Sequence, residues 1–172
     1  MRVAFRVDAS RRIGTGHVVR CLTLADALRE QGAECLFIHR AHVGNMAPTI
    51  RARGYAVQEL VAPALETGLG DETDYARWLG VHVEEDARET RQVLGDESPD
   101  WLVVDHYALD ASWEAELQSI VGSIAVLDDL ADRPHDCDLL LDQNYFPEPS
   151  ARYSGLVPQS IPCLCGPRYA LL

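Results

Sequence analysis

The 172-residue sequence contains no lysine, so each of its 15 basic side chains is an arginine. Without lysine there is no Walker-type phosphate-binding lysine, no Schiff base with a carbonyl substrate and no lysine general base. These mechanisms are therefore excluded for the residues of this chain.

Positive charge is scarce as well. The sequence has 27 acidic residues against 15 arginines, which gives a formal net charge of −12 at pH 7. This charge repels a phosphate backbone and an anionic membrane surface. No apolar run approaches the roughly 20 residues of a membrane-spanning helix, and residues 1–5 enter a strand-like run without a charged leader. We therefore expect a cytoplasmic protein with no nucleic-acid partner and no membrane partner.

Short apolar and β-branched runs alternate with segments of helical periodicity. This alternation predicts an α/β fold, a Rossmann-like parallel sheet flanked by helices. The expected strand order is the usual 3-2-1-4-5-6. The predicted strands lie at 2–8, 34–39, 55–60, 100–106, 123–128 and 138–142.

The clearest predicted helix lies between the first two strands and ends at Gly32. Its spacing separates an apolar face from a polar face that we expect to point to solvent. The apolar face comprises Val18, Cys21, Leu22, Ala25 and Leu28, and the polar face Arg20, Thr23, Asp26 and Glu30.

Three further helices are predicted at 43–53, at about 80–94 and after Asp110, which we expect to be an N-cap. The acidic run 84–86, with Glu89, is typical of a solvated helix face. Residues 61–76 are poorly patterned and predict a loop. The five cysteines show no metal-ligand spacing, so we interpret them as reduced, buried, small apolar side chains.

A glycine-rich turn, Ile13-Gly14-Thr15-Gly16-His17, joins the first strand to its helix. Open α/β folds bring backbone amides to a ligand at this position. The dinucleotide fingerprint is absent, because Val19 stands where a third glycine is needed. His17 lies in the first helical turn, where the helix dipole favours the neutral imidazole that a general base requires. The alternative is an imidazole that only packs against the turn or caps it.

A second polar set is predicted at the same edge, because the expected order places strands one and four side by side at the topological switch point. The fourth strand ends in Asp105-His106-Tyr107 and the fifth in Asp128-Asp129. Asp105 is suited to orient an imidazole or bind a sugar hydroxyl, and Tyr107 to line a sugar pocket. The alternatives are loop or cap hydrogen bonds for Asp105, a structural role for His106 and a solvated turn at 128–129.

The run Asp136-Cys137-Asp138 matches the DxD pattern of metal-dependent sugar-nucleotide transferases. It precedes the sixth predicted strand, at the sheet edge opposite the expected cleft. We therefore expect no metal site and no cofactor.

Six segments together resemble one family. In chain order they are FRVDAS, IGTGHVVRCLTLADALREQG, VVDHY, LDDLADRPHDCDLLLDQN, YSGLVP and CGPRYALL. On these motifs the chain resembles the UDP-2,4-diacetamido-2,4,6-trideoxy-β-L-altropyranose hydrolases of pseudaminic acid biosynthesis, a branch of nonulosonic acid metabolism. The resemblance covers nearly the whole chain.

This resemblance implies the N-terminal half of a GT-B-like fold, metal-independent hydrolysis of a UDP-sugar, and His17 as the base that activates water. It also implies a second domain that supplies most of the uridine and diphosphate contacts. We therefore divide the chain into a base-carrying domain at 1–143 and, at 144–172, a connector with the start of that nucleotide-binding domain. The isolated chain is expected to be inactive and to bind UDP weakly. The candidate substrate-binding residues are Asp8, Gly14, Thr15, Gly16, Arg20, Asp105, His106, Tyr107, Asp128 and Asp129.

Two other functions fit the same cleft. A sugar-nucleotide glycosyltransferase of this fold would use His17 to activate an acceptor hydroxyl instead of water. A non-catalytic nucleotide-sugar binding module would keep the cleft without turnover. Release of a free sugar distinguishes hydrolysis from both alternatives.

Overall fold

The computed structural model describes residues 1–62, 75–95 and 98–171. Its centre is one parallel sheet in the order β3-β2-β1-β4-β5-β6-β7, which confirms the predicted order of the first six strands and adds a seventh. The strands are β1 (Arg2–Val7), β2 (Glu34–Arg40), β3 (Ala56–Leu60), β4 (Trp101–Asp105), β5 (Ser123–Leu127), β6 (Leu139–Asp142) and β7 (Cys163–Cys165).

Five α-helices connect or flank these strands in the described residues: α1 (Gly16–Glu30), α2 (Ala47–Ala52), α3 (Val83–Leu94), α4 (Ala111–Leu117) and α5 (Pro149–Arg152). Asp110 caps α4 as predicted, because its carboxylate accepts hydrogen bonds from the amides of Ser112 and Trp113. The second helix starts later than predicted, since Gly44 adopts a positive φ of 79° and the Asn45 side chain accepts from the Ala47 amide. Within the predicted loop at 61–76, a 3₁₀ turn spans Tyr75–Trp78, and 63–74 lie outside the described residues.

Alternation along the strands divides the buried side chains between two faces of the sheet. In β1, Val3, Phe5 and Val7 pack with α1. The alternate residues Ala4 and Arg6 lie on the face covered by α3 and α4. Each face therefore has its own apolar core, and polar groups that continue a strand also alternate between the faces.

The residues after β6 pack on the sheet. Tyr153 is buried, and its hydroxyl oxygen lies 3.1 Å from a carboxylate oxygen of Asp128 and 3.1 Å from one of Asp142. Residues 163–165 then pair in parallel with 140–142 and extend the sheet. The domain division at residue 143 stays a prediction.

All five cysteines are free, with Cys21 and Cys137 buried and the other three partly buried. None of the helices in the described ranges is long and apolar enough to cross a membrane.

The prediction of a solvated acidic face on α3 was wrong for Asp86. This carboxylate is fully buried and accepts hydrogen bonds from Arg6 Nη2 at 2.6 Å, Arg40 Nη2 at 2.6 Å and the Trp113 indole at 3.1 Å. Glu89 is partly buried and accepts from Arg40 Nη2 at 2.7 Å. The two arginines in apolar strands need buried anions, and α3 supplies them.

Replacing Asp86 with Asn leaves two buried guanidinium groups short of a counter-charge. We expect the free energy of unfolding to fall by about 3–5 kcal/mol, measured by urea denaturation. Glu85→Gln, an exposed position beside it on α3, is the control and should change the unfolding free energy by no more than about 0.5 kcal/mol. Equal, small effects of both substitutions would contradict the structural role assigned to Asp86.

Candidate active site

The glycine-rich turn and the end of β4 meet at the carboxyl edge of the sheet, as predicted. The turn is closed by Ser10, whose Oγ accepts from the Arg12 and Ile13 amides and whose carbonyl accepts from Gly14. Gly14 has a φ of 81°, a conformation that favours glycine. The chain then enters α1, whose N-cap Thr15 makes no side-chain capping hydrogen bond.

Gly16 differs from Gly14, because the structure shows no backbone requirement for glycine at this position. Its φ is not positive, and a Cβ built at this position meets no atom within 4 Å. Neither backbone conformation nor packing within the described residues therefore requires glycine at 16. Gly14, Thr15 and Gly16 are all exposed beside His17.

His17 is buried against the end of β4. Its Nδ1 lies 2.6 Å from Asp105 Oδ1. An ionised carboxylate only accepts hydrogen bonds, so Nδ1 carries the proton and the lone pair of the neutral ring is on Nε2. No described residue forms a hydrogen bond with Nε2. The pair thus has the arrangement in which a carboxylate orients an imidazole for proton transfer.

Arg20 was expected on the solvent-facing side of the helix, and this expectation was wrong. Its side chain is 7% exposed. Arg20 lies three residues after His17 on the same helical face, and both turn toward Asp105. Nε donates to Asp105 Oδ2 and Nη2 to Asp105 Oδ1, each at 2.6 Å. This bidentate ion pair offsets the cost of burying the guanidinium.

Asp105 is fully buried and stays ionised. Burial by itself raises the pKa of the carboxyl, but His17 and Arg20 beside it outweigh burial and hold the pKa of Asp105 below its usual range. The Cys21 thiol also donates to Asp105, at 3.5 Å. Burial and the adjacent carboxylate raise the pKa of Cys21, so this cysteine remains a neutral thiol.

A cluster of aromatic rings packs beside His17. Tyr107 stands edge-on to the His17 ring, with ring centroids 4.5 Å apart. Tyr75 and Trp78 pack against each other at 4.8 Å and against Tyr107 at 5.1 and 5.7 Å. The sequence prediction found Tyr107 and missed the other two. Their spacing of three residues after a poorly patterned segment was the one available indication of an aromatic turn.

Asp8 and His106 lie at the same edge on the opposite face of the sheet. Asp8 is fully buried, and its carboxylate accepts from Arg6 Nη1 at 2.7 Å, from Arg6 Nη2 at 2.9 Å and from the Arg40 amide at 2.7 Å. His106 Nδ1 accepts from the Ala108 amide, which places its proton on Nε2, 3.5 Å from Asp8. The predicted substrate contacts of these two residues remain predictions.

Asp128 and Asp129 follow β5 and differ in surroundings. Asp128 is buried, accepts from the Ala131 amide at 2.8 Å and lies 2.9 Å from Arg133 Nη1. Asp129 is partly exposed, and its Oδ2 accepts from Arg20 Nη1 at 2.6 Å and from the Tyr107 hydroxyl at 2.8 Å. The structure therefore brings Asp129 together with His17, Arg20, Asp105 and Tyr107.

The DxD pattern lies at the opposite edge of the sheet, as expected. Asp138 precedes β6, and its carboxylate accepts from the Ile124 amide at 2.8 Å. Within the described parts of the chain, no group of three or more His, Cys, Asp or Glu side chains is arranged to hold a metal ion.

The fold and the site together define a class: a Rossmann-like parallel sheet with a histidine–aspartate pair at the carboxyl edge, where such sheets bind their ligands. No protein-family model matches the chain. The chain is 29% identical over all 172 residues to the UDP-2,4-diacetamido-2,4,6-trideoxy-beta-L-altropyranose hydrolase of Campylobacter jejuni. It spans 52% of the length of that curated relative. The resemblance predicted from the motifs is thereby confirmed along the whole chain.

The buried imidazole of His106 makes the stability of the fold depend on pH. Burial lowers the pKa of His106 to about 3, although the Asp8 charge opposes this shift. The unfolded chain therefore binds one more proton than the folded chain between about pH 6.5 and pH 3, so stability is lost as the pH falls through this range. His106→Gln should reduce the slope of unfolding free energy between pH 6 and 5 by up to about 1.4 kcal/mol per pH unit.

The control for this measurement is His82→Gln, because His82 is exposed before α3 and should leave the slope unchanged. His39 retains part of the dependence, since burial also lowers its pKa. An unaltered slope in His106→Gln would show that this histidine is not held neutral in the fold.

Proposed function

We propose that this chain is the base-carrying half of a UDP-sugar hydrolase that releases UDP and a free diacetamido-trideoxy sugar in pseudaminic acid biosynthesis. The observation that carries the proposal is the 2.6 Å contact between His17 Nδ1 and Asp105 at the carboxyl edge of the sheet. This contact presents Nε2 of a neutral ring as the proton acceptor. The similarity to the Campylobacter jejuni hydrolase supports the substrate class.

In the proposed reaction a water oxygen attacks the anomeric carbon of the sugar. The bond between that carbon and the diphosphate oxygen breaks, and its electron pair leaves with UDP. His17 Nε2 takes the proton from water, and the Asp105 carboxylate stabilises the imidazolium that forms. UDP leaves as a stabilised anion that needs little protonation, so the step uses no second catalytic acid and no metal ion.

The surroundings of His17 support a sugar at this position. The uncapped start of α1 and the open space at Gly16 allow a ligand to approach the backbone amides. An apolar wall next to His17 is formed by the rings of Tyr75, Trp78 and Tyr107. A pyranose ring has apolar C–H faces and polar edges, and such a wall with adjacent polar groups suits both.

The nucleotide is proposed to bind a second domain. The chain spans about half of its relative's length, and in this proposal His17 and its neighbours contact the sugar and not the uridine. The 172-residue chain by itself is accordingly proposed to bind UDP weakly and to lack useful hydrolytic activity. A cytoplasmic location belongs to the same proposal.

The experiment that tests this function incubates the complete protein containing this sequence with UDP-linked diacetamido-trideoxy sugars. Equal amounts of UDP and free sugar are expected. Transfer of the sugar to an acceptor hydroxyl would identify a glycosyltransferase instead. Tight binding of the nucleotide sugar without turnover would identify a binding module, and each of these results would overturn the hydrolase proposal.

His17→Asn tests the base directly, because asparagine preserves polarity and approximate size but cannot take up the proton. Turnover of the complete protein should fall by about two to four orders of magnitude while substrate binding persists. The matched control is His82→Asn, which removes an exposed imidazole at the N-cap of α3. Unchanged turnover in His17→Asn would remove His17 from the mechanism.

A further inference from the structure

The guanidinium group of Arg20 is directed toward carboxylates of the same chain. Nε and Nη2 donate to the two oxygens of Asp105, and Nη1 donates to Asp129 Oδ2, each at 2.6 Å. All three guanidinium nitrogens thus bind carboxylates of the chain. The Nη2 atom also lies 3.4 Å from His17 Nδ1, so the positive charge of Arg20 lies directly beside the imidazole.

Asp129 is held in place from several elements. The Tyr107 hydroxyl donates to the same oxygen as Arg20, and Asn144 Nδ2 donates to the other oxygen at 3.0 Å. Since the Tyr107 ring also contacts the His17 ring, these contacts form a closed network. In order, the network connects His17, Asp105, Arg20, Asp129 and Tyr107.

We propose that Arg20 and Asp129 are positioning residues for His17: Arg20 shares Asp105 with the imidazole, and Asp129 fixes Arg20 and Tyr107 around it. This inference rests on the proposed function, in which His17 is the base. It assigns to the two residues a role other than the substrate contact expected from the sequence.

The physical reason is competition for one carboxylate. A lone carboxylate beside an imidazole favours the protonated ring, which is useless as a base. A guanidinium bound to the same carboxylate opposes positive charge on the ring. Arg20 therefore keeps Nε2 of His17 unprotonated, so that it can accept a proton from water. Asp105 still fixes the orientation of the ring.

Among the described residues, the other side chains that contact His17 or Asp105 carry no charge. Cys21 on α1 remains a neutral thiol, and burial together with the Asp129 hydrogen bond raises the pKa of Tyr107, which remains a neutral phenol. His106 on the opposite face is also neutral, with its pKa lowered to about 3 by burial. The turn Tyr75–Trp78 contributes the aromatic rings of Tyr75 and Trp78. Within the described parts of the chain, the charged side chains of this network around His17 are therefore Asp105, Arg20 and Asp129.

The test follows the His17 ring by NMR titration in this chain and the pH profile of kcat/KM in the complete protein. Arg20→Gln removes the opposing charge, so the ring should take up its proton at a pH about one unit higher, with about tenfold lower kcat/KM on the acid limb. Asp129→Asn removes a negative charge and should move the titration in the opposite direction. KM should change less than about threefold in both variants.

Two further variants separate charge from folding. Arg20→Lys keeps the positive charge but loses the bidentate geometry. In this variant the His17 ring should titrate closer to the unaltered chain than it does in Arg20→Gln. Arg29→Gln is the matched control, because Arg29 lies on the same helix in an exposed ion pair with Asp26 and should move neither titration nor activity.

The inference is overturned if folded Arg20→Gln titrates like the unaltered chain. Should Arg20→Gln not fold, the His17 ring is titrated in Asp129→Asn and Arg20→Lys instead. A shift of the titration in the same direction in both variants would overturn the inference. A complete protein that shows the expected NMR shifts but hydrolyses no UDP-sugar would refute the proposed function and leave the charge network intact.

Discussion

The candidate site depends on one buried negative charge, the carboxylate of Asp105 at the end of β4. An uncompensated charge at this depth costs several kcal/mol, so the fold has to supply cations or hydrogen-bond donors to it. Both of the strongest partners, His17 and Arg20, come from the first two turns of α1. The position of this helix on the sheet and the orientation of its histidine are therefore fixed by the same carboxylate.

Strand alternation keeps a second buried charge cluster apart from this one. Arg6 and Asp86 lie on the face of α3 and α4, whereas Asp105 points to the face of α1. The cluster of Arg6 and Asp86 ties α3 to the sheet, and the cluster around Asp105 holds the His17 ring at the edge. Asp105, the last residue of β4, and His106, the residue after it, thus belong to different environments, which explains why one remains ionised and the other neutral.

Much of this arrangement could be predicted from the sequence. Parallel strands follow connection rules, so the meeting of the glycine turn with the end of β4 follows from the strand order alone. The burial of Arg20 could not be predicted in this way, because its helical position is typical of a solvated residue. Its partner Asp105 is 85 residues away in the chain. Asp86 was misjudged for the same reason, since its partner Arg6 is 80 residues away.

The central claim is that Asp105 fixes the tautomer of His17 so that Nε2 is the free proton acceptor. Nitrogen-15 chemical shifts of the His17 ring, recorded at a pH where the ring is neutral, measure this directly. The account predicts a protonated Nδ1 and an unprotonated Nε2. A protonated Nε2 with an unprotonated Nδ1 would contradict it, because the lone pair would then face Asp105 instead of the cleft.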